Sequence, residues 1–314
     1  MLNKTLNPNK RVIVFGGTGG LGRGCCQWLL QNGFDVAVFS RQIENKLIGS
    51  RLFTGDISDY PSVLAALKAW RPYYVLQLAA SLQHETEENP TTGIHINVTG
   101  ATNVLEAAAQ TSVKRFVYGS SVAVYGDRKD LMSEEDTPTE STTLYGLQKH
   151  LGERLGKRYS ERGDFSFAAL RYSGILHPAE PSGKGMALAR YLIMQTAYGN
   201  NVELNFVSGN ETCQLTYVED AVIATMQALF APRLNHLVYN VSGPAENYVS
   251  LSGFYKLIRD HVPSAGYPAF GGQAVSLGMV NLNRARLDLN YRPQVDLTSA
   301  LVKMGVIKPE HLGS

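Results

Sequence analysis

Two side chains near the middle of the chain have the types and the spacing needed for acid–base chemistry at a carbonyl or an alcohol. Tyr145 and Lys149 are four residues apart, so a helix would place both on one face. An ammonium group beside a phenol favours the phenolate, and Lys149 is therefore expected to lower the pKa of Tyr145 toward the working range. Tyr145 would then serve as a general acid or base. Because this spacing also occurs on ordinary solvated helices, it needs support from elsewhere in the chain.

Ser121 gives this support. It lies directly after an apolar run at residues 115–118, within the segment Gly-Ser-Ser-Val-Ala-Val-Tyr-Gly at residues 119–126. A hydroxyl at the carboxyl end of a central parallel strand lies at the crevice where such sheets bind ligands. Ser121 could donate a hydrogen bond to a developing oxyanion, alongside Tyr145. We therefore predict that Ser121, Tyr145 and Lys149 form a catalytic set.

A glycine-rich loop near the N-terminus has the composition of a phosphate-binding turn. Residues 11–15 are apolar and run directly into Gly16-x-x-Gly19-x-x-Gly22, and a helical pattern follows. Glycines permit the tight turn and the close approach of a pyrophosphate, and the helix N-terminus offers free N–H groups to its oxygens. A strand before the loop and a helix after it make this motif specific for a dinucleotide. The residues expected at the cofactor are Gly16, Thr18, Gly19, Gly20, Leu21 and Gly22.

The residues after the second apolar run indicate which dinucleotide is bound. Chains that bind NAD often carry an acid at this position, whereas this chain has Ser40 and Arg41. A carboxylate would repel a 2′-phosphate and an arginine would pair with it, so NADP is favoured and NAD remains possible. A solvated surface arginine is the alternative explanation of Arg41. Asp56, followed by Ile57, could bind the adenine amino group, cap the helix that begins near residue 61, or brace its own loop.

Short apolar runs alternate with helical patterns and would position these residues. The runs cover residues 11–15, 35–39, 73–78, 115–118 and 165–170, and the helical patterns cover 21–31, 61–70, 100–110 and 144–162. This alternation predicts an α/β fold with a doubly wound parallel sheet of the Rossmann type. Residues 1–171 are predicted to form the dinucleotide-binding domain. Residues 172–314 are predicted to form mainly a smaller C-terminal α/β substrate lobe, with segments near 214–241 returning to the first domain.

The composition restricts the class of protein. The 314 residues are 44% hydrophobic and 18% charged, which is typical of a folded domain, and the net charge is +2. This charge gives no electrostatic reason to expect nucleic acid or an anionic membrane as a partner. Three cysteines, no secretory leader and no long apolar run favour a cytoplasmic protein. Seven scattered histidines without ligand spacing predict no metal site.

Together the motifs resemble the extended short-chain dehydrogenase/reductases, of the NAD(P)-dependent sugar epimerase/dehydratase type. The resemblance rests on residues 16–22, 55–56, 78–80, 97–103, 120–126 and 145–149, and on weaker matches at 171–172, 215–220 and 291–293. It implies that Ser121, Tyr145 and Lys149 are catalytic and that Lys149 also holds the nicotinamide ribose. It implies further that Leu78, Ala79 and Ala80 line the cofactor and that Asn97 braces the site. A homodimer packed through residues 100–110 and 144–162 is also implied.

The departures from the family pattern restrict the reaction. The dehydratases of this family carry an Asp-Glu pair after the catalytic hydroxyl, where this chain has Val122 and Ala123. Members that bind nucleotide diphosphates usually carry an arginine where this chain has Cys213, and the segment 261–273 lacks a second one. Lys184 or Arg190 could replace them, although a solvated charge is the better explanation of each. These departures argue against dehydration and against a nucleotide-diphosphate substrate.

Three functions remain open on this basis. The first is an NADPH-dependent reduction of a sugar-like ketone, and the alternative is an NAD-dependent nucleotide-sugar epimerase. The third is a non-catalytic dinucleotide-sensing regulator, which the retained Tyr145 and Lys149 disfavour. A small-molecule substrate is expected in either enzyme. The predicted substrate contacts are Ser121, Val122, Tyr145, Ser173 and His177.

Overall fold

The computed structural model describes residues 10–41, 47–134, 137–178, 184–205, 207–272 and 276–312, and in this part of the chain a seven-stranded parallel sheet forms the centre of the fold. The strands are β1 Arg11–Phe15, β2 Asp35–Ser40, β3 Arg51–Thr54, β4 Tyr74–Gln77, β5 Arg115–Ser121, β6 Ser166–Tyr172, β7 Ile175–Leu176, β8 Val202–Leu204, β9 Thr212–Gln214, β10 Thr216–Tyr217, β11 Val238–Val241, β12 Tyr248–Ser250 and β13 Pro268–Phe270. The order in the main sheet is β11-β6-β5-β4-β1-β2-β3.

Helices follow most of the strands of the main sheet. They are α1 Gly20–Gln31, α2 Tyr60–Trp70, α3 Gln83–Glu88, α4 Pro90–Gly93, α5 Ala101–Ala109, α6 Leu144–Glu161, α7 Lys184–Ala197, α8 Val218–Phe230, α9 Leu251–His261, α10 Asn283–Asp288 and α11 Leu297–Lys303. A π-helical segment, Ile94–Gly100, joins α4 to α5, and short 3₁₀ turns lie at Val122–Tyr125, Ala245–Asn247 and Pro309–Leu312. Within the described residues, no helix combines the length and apolar character that a membrane span requires.

The sheet is buried on both faces. Val12 and Val14 belong to one apolar cluster with residues of α1 and α8. Ile13 and Phe15, which alternate with them along β1, belong to a second cluster with residues of α2 and α5. A strand covered on both sides is apolar at every position, which explains why the runs in the sequence do not alternate. The predicted doubly wound α/β fold is confirmed.

The strand order reverses between β1 and β4. From β1 the chain first adds β2 and β3 on one side and then crosses to add β4, β5 and β6 on the other. Two crossovers that leave neighbouring strands in opposite directions open a crevice at the carboxyl ends of those strands. The residues that follow β1 and β4 therefore lie at the edge where a ligand can enter.

The C-terminal part of the chain divides between the sheet and a smaller lobe. Strand β11 lies beside β6 in the main sheet, and α8 packs on α1. Strand β10 pairs instead with β7 in a separate two-stranded sheet, and β9 pairs with β12. A third apolar cluster, which includes Ile193, Phe254 and Leu301, gives this lobe its own core. The lobe borders the carboxyl ends of the strands through the segment that follows β6.

Candidate active site

The crevice at the reversal point contains a cleft of about 820 Å³. Its walls come from the glycine loop, the carboxyl ends of β2, β4 and β5, the start of α6 and the segment after β6. The predicted residues that line it are Gly16, Thr18, Gly19, Gly20, Leu21, Gly22, Ser40, Arg41, Asp56, Ile57, Leu78, Ala79, Ala80, Ser121, Tyr145, Lys149 and Ser173. Residues from distant parts of the chain thus meet in one cavity large enough for a dinucleotide and a small substrate.

The glycine loop is shaped as a cradle that side chains would fill. Gly16 has a φ of +82°, and a Cβ there would lie 2.6 Å from the backbone nitrogen of Ala79. A Cβ on Gly22 would overlap the carbonyl oxygen of Gly16. The N-cap of α1 is Gly19, which provides no side-chain acceptor for the first amides of the helix. Those amides and the helix dipole are thus available to a pyrophosphate. The shape of the loop therefore fits the dinucleotide that the sequence predicts.

The far end of the cleft carries the groups that would meet an adenosine ribose. The Arg41 guanidinium is 69% exposed and lies 3.9 Å from a carboxylate oxygen of Asp56. The hydroxyls of Thr18 and Ser40 are 3.4 Å apart. Asp56 accepts hydrogen bonds from the backbone N–H and the hydroxyl of Ser58, at 2.8 and 2.7 Å.

The structure places Asp56 as a brace within its own loop. Desolvation raises the pKa of the Asp56 carboxyl, but the Ser58 hydrogen bonds and Arg41 outweigh this effect, so that the pKa is lowered overall. Helix α2 begins at Tyr60 with Asp59 at its N-cap position, so Asp56 is not the helix cap. A charged Asp56 beside Arg41 orients the guanidinium at the rim of the cleft.

Helix α6 brings the catalytic candidates to the end of β5. Thr143 caps the helix by accepting a hydrogen bond from the N–H of Gly146 at 3.1 Å. Gly152 and Gly156 let the helix lie close to the sheet. A Cβ on Gly152 would overlap the side chain of Tyr118, and a Cβ on Gly156 would overlap the ring of Phe167. Close packing of α6 on β5 and β6 is therefore a condition for the geometry of the site.

Lys149 is buried and held in one position. Its ammonium donates to the carbonyl oxygen of Gly119 at 2.7 Å and lies 5.1 and 5.6 Å from the ring centres of Tyr118 and Tyr145. Ser121 accepts a hydrogen bond from the N–H of Ala123 at 3.2 Å, which fixes its hydroxyl at the end of β5. Ser121, Tyr145 and Lys149 all line the same part of the cleft.

The pKa of Tyr145 differs from the expectation drawn from its spacing to Lys149. Desolvation raises this pKa to about 12, and hydrogen bonding from Ser121 opposes the rise only in part. Burial also lowers the pKa of Lys149 to about 8, and Glu153 opposes that change. The prediction of a lowered tyrosine pKa was wrong, because desolvation of the phenol has the largest effect on this pKa. Tyr145 therefore carries its proton at neutral pH.

Asn97 lies behind the cleft wall, in the π-helical segment. Its side-chain oxygen accepts from the N–H of Ser81 at 2.9 Å, and its amide donates to the carbonyl oxygen of Ser81 at 2.9 Å and to Gln148 at 2.8 Å. Ser81 lines the cleft and Gln148 precedes Lys149 on α6. Asn97 thus links the loop after β4 to helix α6, which carries Tyr145 and Lys149. Gln148 was not singled out from the sequence, since nothing local indicates that its amide reaches across to another helix.

The three remaining candidates for substrate contact differ in whether they line the cleft. Ser173 lines the cleft and shares hydrogen bonds with Thr216 and Ser242 at 2.7 and 2.9 Å. Val122 is buried in the 3₁₀ turn that follows β5 and lies outside the cleft lining. His177 is also buried and outside the lining, and its ring packs on α1, where a Cβ on Gly20 would come within 2.6 Å of Nε2. Of these three candidates, only Ser173 is placed to meet a ligand in the cleft.

A buried ion pair, Glu153 with Arg171, lies next to the candidate catalytic residues and was also not identified from the sequence. Glu153 accepts two hydrogen bonds from Arg171, at 2.8 and 2.7 Å, and one from the hydroxyl of Ser120 at 2.5 Å. Both charged side chains are buried. The spacing of Tyr145, Lys149 and Glu153, each four residues apart, is the signal that could have identified Glu153.

The charged side chains that line the cleft restrict which substrates could bind there. Among the described lining residues, the cationic ones are Arg41 and Lys149. Cys213 stands where chains of the resembled family usually carry an arginine, and it is partly buried. The side chain of the next residue, Gln214, is buried and already hydrogen-bonded to backbone groups. The Gln214 amide donates to the carbonyls of Gly243 and Pro244, and its oxygen accepts from the N–H of Val280 at 2.8 Å. The Lys184 side chain lies outside the described residues, and Arg190 is not part of the lining.

Comparison with known proteins identifies the family. A sequence model of the NAD dependent epimerase/dehydratase family matches residues 12–242. The chain belongs to this family. A putative UDP-glucose 4-epimerase of Methanocaldococcus jannaschii is 24% identical over 307 residues, which is 93% of this chain and 96% of that protein. The mitochondrial L-threonine 3-dehydrogenase of Sus scrofa is 29% identical over 248 residues, which is 75% of this chain and 66% of that enzyme.

Solved structures of epimerases share the fold. The UDP-glucose 4-epimerase of Thermotoga maritima, solved with UDP-glucose, has a TM-score of 0.85 at 21% identity and covers 94% of this chain and 97% of its own. The UDP-glucose 4-epimerase of Thermus thermophilus, solved with NAD, has a TM-score of 0.83 at 22% identity, with 97% and 99% covered. The epimerase/dehydratase family is a family of enzymes that includes both epimerases and dehydrogenases. Its cofactor class, a nicotinamide dinucleotide, fits the glycine cradle of this chain.

Side chains that could bind a metal ion are not clustered in the part of the chain that the structure describes. There, no group of three or more His, Cys, Asp or Glu side chains is arranged to hold an ion. The side chains that line the cleft at the end of β5, Ser121 and Tyr145 with Lys149 of α6, are of types that can donate hydrogen bonds and transfer protons.

Proposed function

We propose that this family member is an NADP-dependent oxidoreductase that reduces a sugar-like ketone without a nucleotide diphosphate. The observation that carries the proposal is the charge of the cleft, where the described cationic side chains are Arg41 at the rim and Lys149 beneath Tyr145. A diphosphate needs cationic or amide donors on the substrate side, and Gln214 is already bound to backbone groups. A neutral, hydroxylated substrate fits these walls better.

The proposed roles follow from the geometry of the end of β5. Bound NADPH would supply the hydride. Tyr145 holds its proton at neutral pH and would donate it to the carbonyl oxygen of the substrate. Ser121 would donate a hydrogen bond to the same oxygen as negative charge develops on it. The Lys149 ammonium, fixed by the carbonyl of Gly119, would stabilise the phenolate that remains.

The preference for NADP rests on the end of β2. The strand ends at Ser40, where chains that prefer NAD often carry an acid, and the exposed guanidinium of the next residue, Arg41, lies 3.9 Å from a carboxylate oxygen of Asp56. A 2′-phosphate could accept hydrogen bonds from Arg41 and from the hydroxyls of Thr18 and Ser40. In chains that prefer NAD, an acid at this position binds the ribose hydroxyls and repels the phosphate.

An NAD-dependent nucleotide-sugar epimerase is the second candidate. Its support is the likeness to UDP-glucose 4-epimerases over nearly the whole chain. Two observations argue against it. The side chain of Gln214 is already hydrogen-bonded to backbone groups, and the exposed Arg41 favours NADP over NAD. A non-catalytic dinucleotide sensor is disfavoured because Ser121, Tyr145 and Lys149 are all present and meet in one cleft.

The test begins with the cofactor. Purified protein would be denatured, any released nucleotide identified, and the stripped protein titrated with NADPH and NADH by fluorescence. A panel of keto-sugars would then be assayed for NADPH oxidation, with UDP-glucose assayed for isomerisation. Empty protein that prefers NADPH and oxidises it with a keto-sugar supports the reductase. Tightly retained NAD together with isomerised UDP-glucose would establish the epimerase instead.

We also propose that the protein is a homodimer through α6 and the neighbouring π-helical segment. Leu144, Leu147 and Leu151 are 38%, 51% and 43% exposed and share one face of α6, and Ile94 nearby is 50% exposed. Apolar side chains at this spacing form the stripe that a second helix covers. A second copy of the chain would bury the stripe against itself across a two-fold axis.

Leu147→Glu is expected to convert this dimer into a monomer. The substitution places a carboxylate in the centre of the apolar stripe, where pairing two copies would bury unpaired charges. Sedimentation velocity would measure the change in mass. Leu287→Glu is the matched control, since Leu287 is 83% exposed on α10 and should leave the mass unchanged. A dimer that persists in Leu147→Glu would exclude this interface.

A further inference from the structure

One stripe of α6 contacts three consecutive residues at the end of β5. Tyr145 lines the cleft together with Ser121, and Lys149 donates to the carbonyl oxygen of Gly119 at 2.7 Å. One turn further along, Glu153 accepts the hydrogen bond from the hydroxyl of Ser120 at 2.5 Å. Lys149 and Glu153 thus each hold a different residue of the same strand end. A helix and a strand that are tied by two successive hydrogen bonds cannot shift along one another without breaking both.

Glu153 is itself held by a charge from the next strand. It is 4% exposed, Arg171 is 5% exposed, and the two make a bidentate pair. The Arg171 guanidinium also lies 4.7 Å from the ring centre of Tyr125, in the 3₁₀ turn that Ser121 caps. Burying such a pair is costly, and replacing one with apolar side chains is often neutral or stabilising. Stability alone therefore does not account for charges at this place.

We propose that Glu153, anchored by Arg171, is a positioning residue that fixes Ser121 through Ser120 and places a negative charge one helical turn from the Lys149 ammonium. The proposal deepens the function proposed above and rests on it, because it concerns how the site holds its nicotinamide cofactor. Glu153 lies outside the cleft lining and would not touch the cofactor or the substrate.

The groups around Lys149 determine whether removing the charge of Glu153 raises or lowers the pKa of Lys149. The groups that face it are the phenols of Tyr118 and Tyr145 and the carboxylate of Glu153, with Arg171 behind Glu153 and His150 adjacent on α6. Burial lowers the pKa of Lys149 to about 8, and the negative charge of Glu153 opposes this lowering. Removing that charge lowers the pKa further, so that the ammonium is lost at a lower pH.

The test is the pH dependence of cofactor affinity in Glu153→Gln. Glutamine keeps the shape and one acceptor but removes the charge. Fluorescence titration with NADPH, and in parallel with NADH, would be run from about pH 6 to about pH 10, a range that spans the titration of a lysine whose pKa burial has lowered. The affinity falls as Lys149 loses its proton, and the midpoint of this fall is expected to move down by roughly one pH unit in the variant. Glu161→Gln, an exposed site on the same helix, should leave the midpoint unchanged.

Two further variants keep the result decisive. If the unpaired Arg171 prevents Glu153→Gln from folding, the double variant Glu153→Gln with Arg171→Met removes both charges, and its midpoint should move in the same direction. Ser120→Ala removes one hydrogen bond and keeps the charge, so its midpoint should stay in place. An unchanged midpoint in a folded variant without Glu153, or an equal shift in Ser120→Ala, would overturn the proposal. A wild-type protein that binds neither nucleotide would overturn the proposed function instead.

Discussion

Replacing Tyr145 with phenylalanine is expected to lower turnover by about three orders of magnitude and to leave cofactor affinity almost unchanged. The phenol carries the proton that the reaction needs, because burial raises its pKa to about 12. The ring itself, which lies 5.6 Å from the Lys149 ammonium, is retained in the variant. Turnover would be measured with the substrate found in the keto-sugar panel, and affinity by fluorescence titration with NADPH.

Tyr159→Phe is the matched control for this experiment. Tyr159 lies on the same helix and donates its hydroxyl to Glu106 at 2.7 Å, far along α6 from the cleft. It should lose a little stability and keep its turnover. If Tyr145→Phe retained more than a small fraction of the activity, the proton would have to come from another group, and the assignment of Tyr145 as the acid would be wrong.

Arg41→Ala is expected to weaken the binding of NADPH by about 30-fold and to leave the binding of NADH unchanged. The guanidinium is the charged group placed to pair with a 2′-phosphate, which NADH lacks. Because Arg41 is 69% exposed, this effect should shrink as the salt concentration rises. Titration of both nucleotides at low and high salt would measure the change in selectivity.

Arg51→Ala separates this specific contact from a general loss of positive charge. Arg51 is exposed at the start of β3, lies near Phe53 and does not line the cleft. Both variants lower the net charge by one, so only a contact to the phosphate can distinguish them. Equal losses of NADPH affinity in the two variants, or an unmodified protein that prefers NADH, would contradict the assignment of Arg41.

The parts of the fold that depend on local patterns could be predicted from the sequence. Continuous apolar runs predicted buried parallel strands, because a strand with two covered faces cannot alternate. The glycine loop was recognisable because its turn tolerates no side chain, as the close approach of Gly16 to Ala79 illustrates. Tyr145 and Lys149 were recognisable because one helix sets their relation without help from any other element.

The contacts that support the site depend on elements far apart in the chain. Glu153 meets Arg171 and Ser120 only because β5, β6 and α6 are neighbours in the folded sheet. Gln214 is hydrogen-bonded to backbone groups of distant segments, and Gln148 accepts a hydrogen bond from Asn97 in the π-helical segment. His177 was predicted as a substrate contact, but the structure packs it against the start of α1.

The sequence by itself determined the fold class, the glycine cradle and the candidate acid–base pair, since each is encoded within one strand, loop or helix. Only the tertiary structure decided the protonation of Tyr145, the partners of Lys149 and which charges reach the cleft. The reason is physical. A side chain's type and its neighbours along the chain are local, whereas burial and the electrostatic surroundings that set its pKa come from all the elements packed around it.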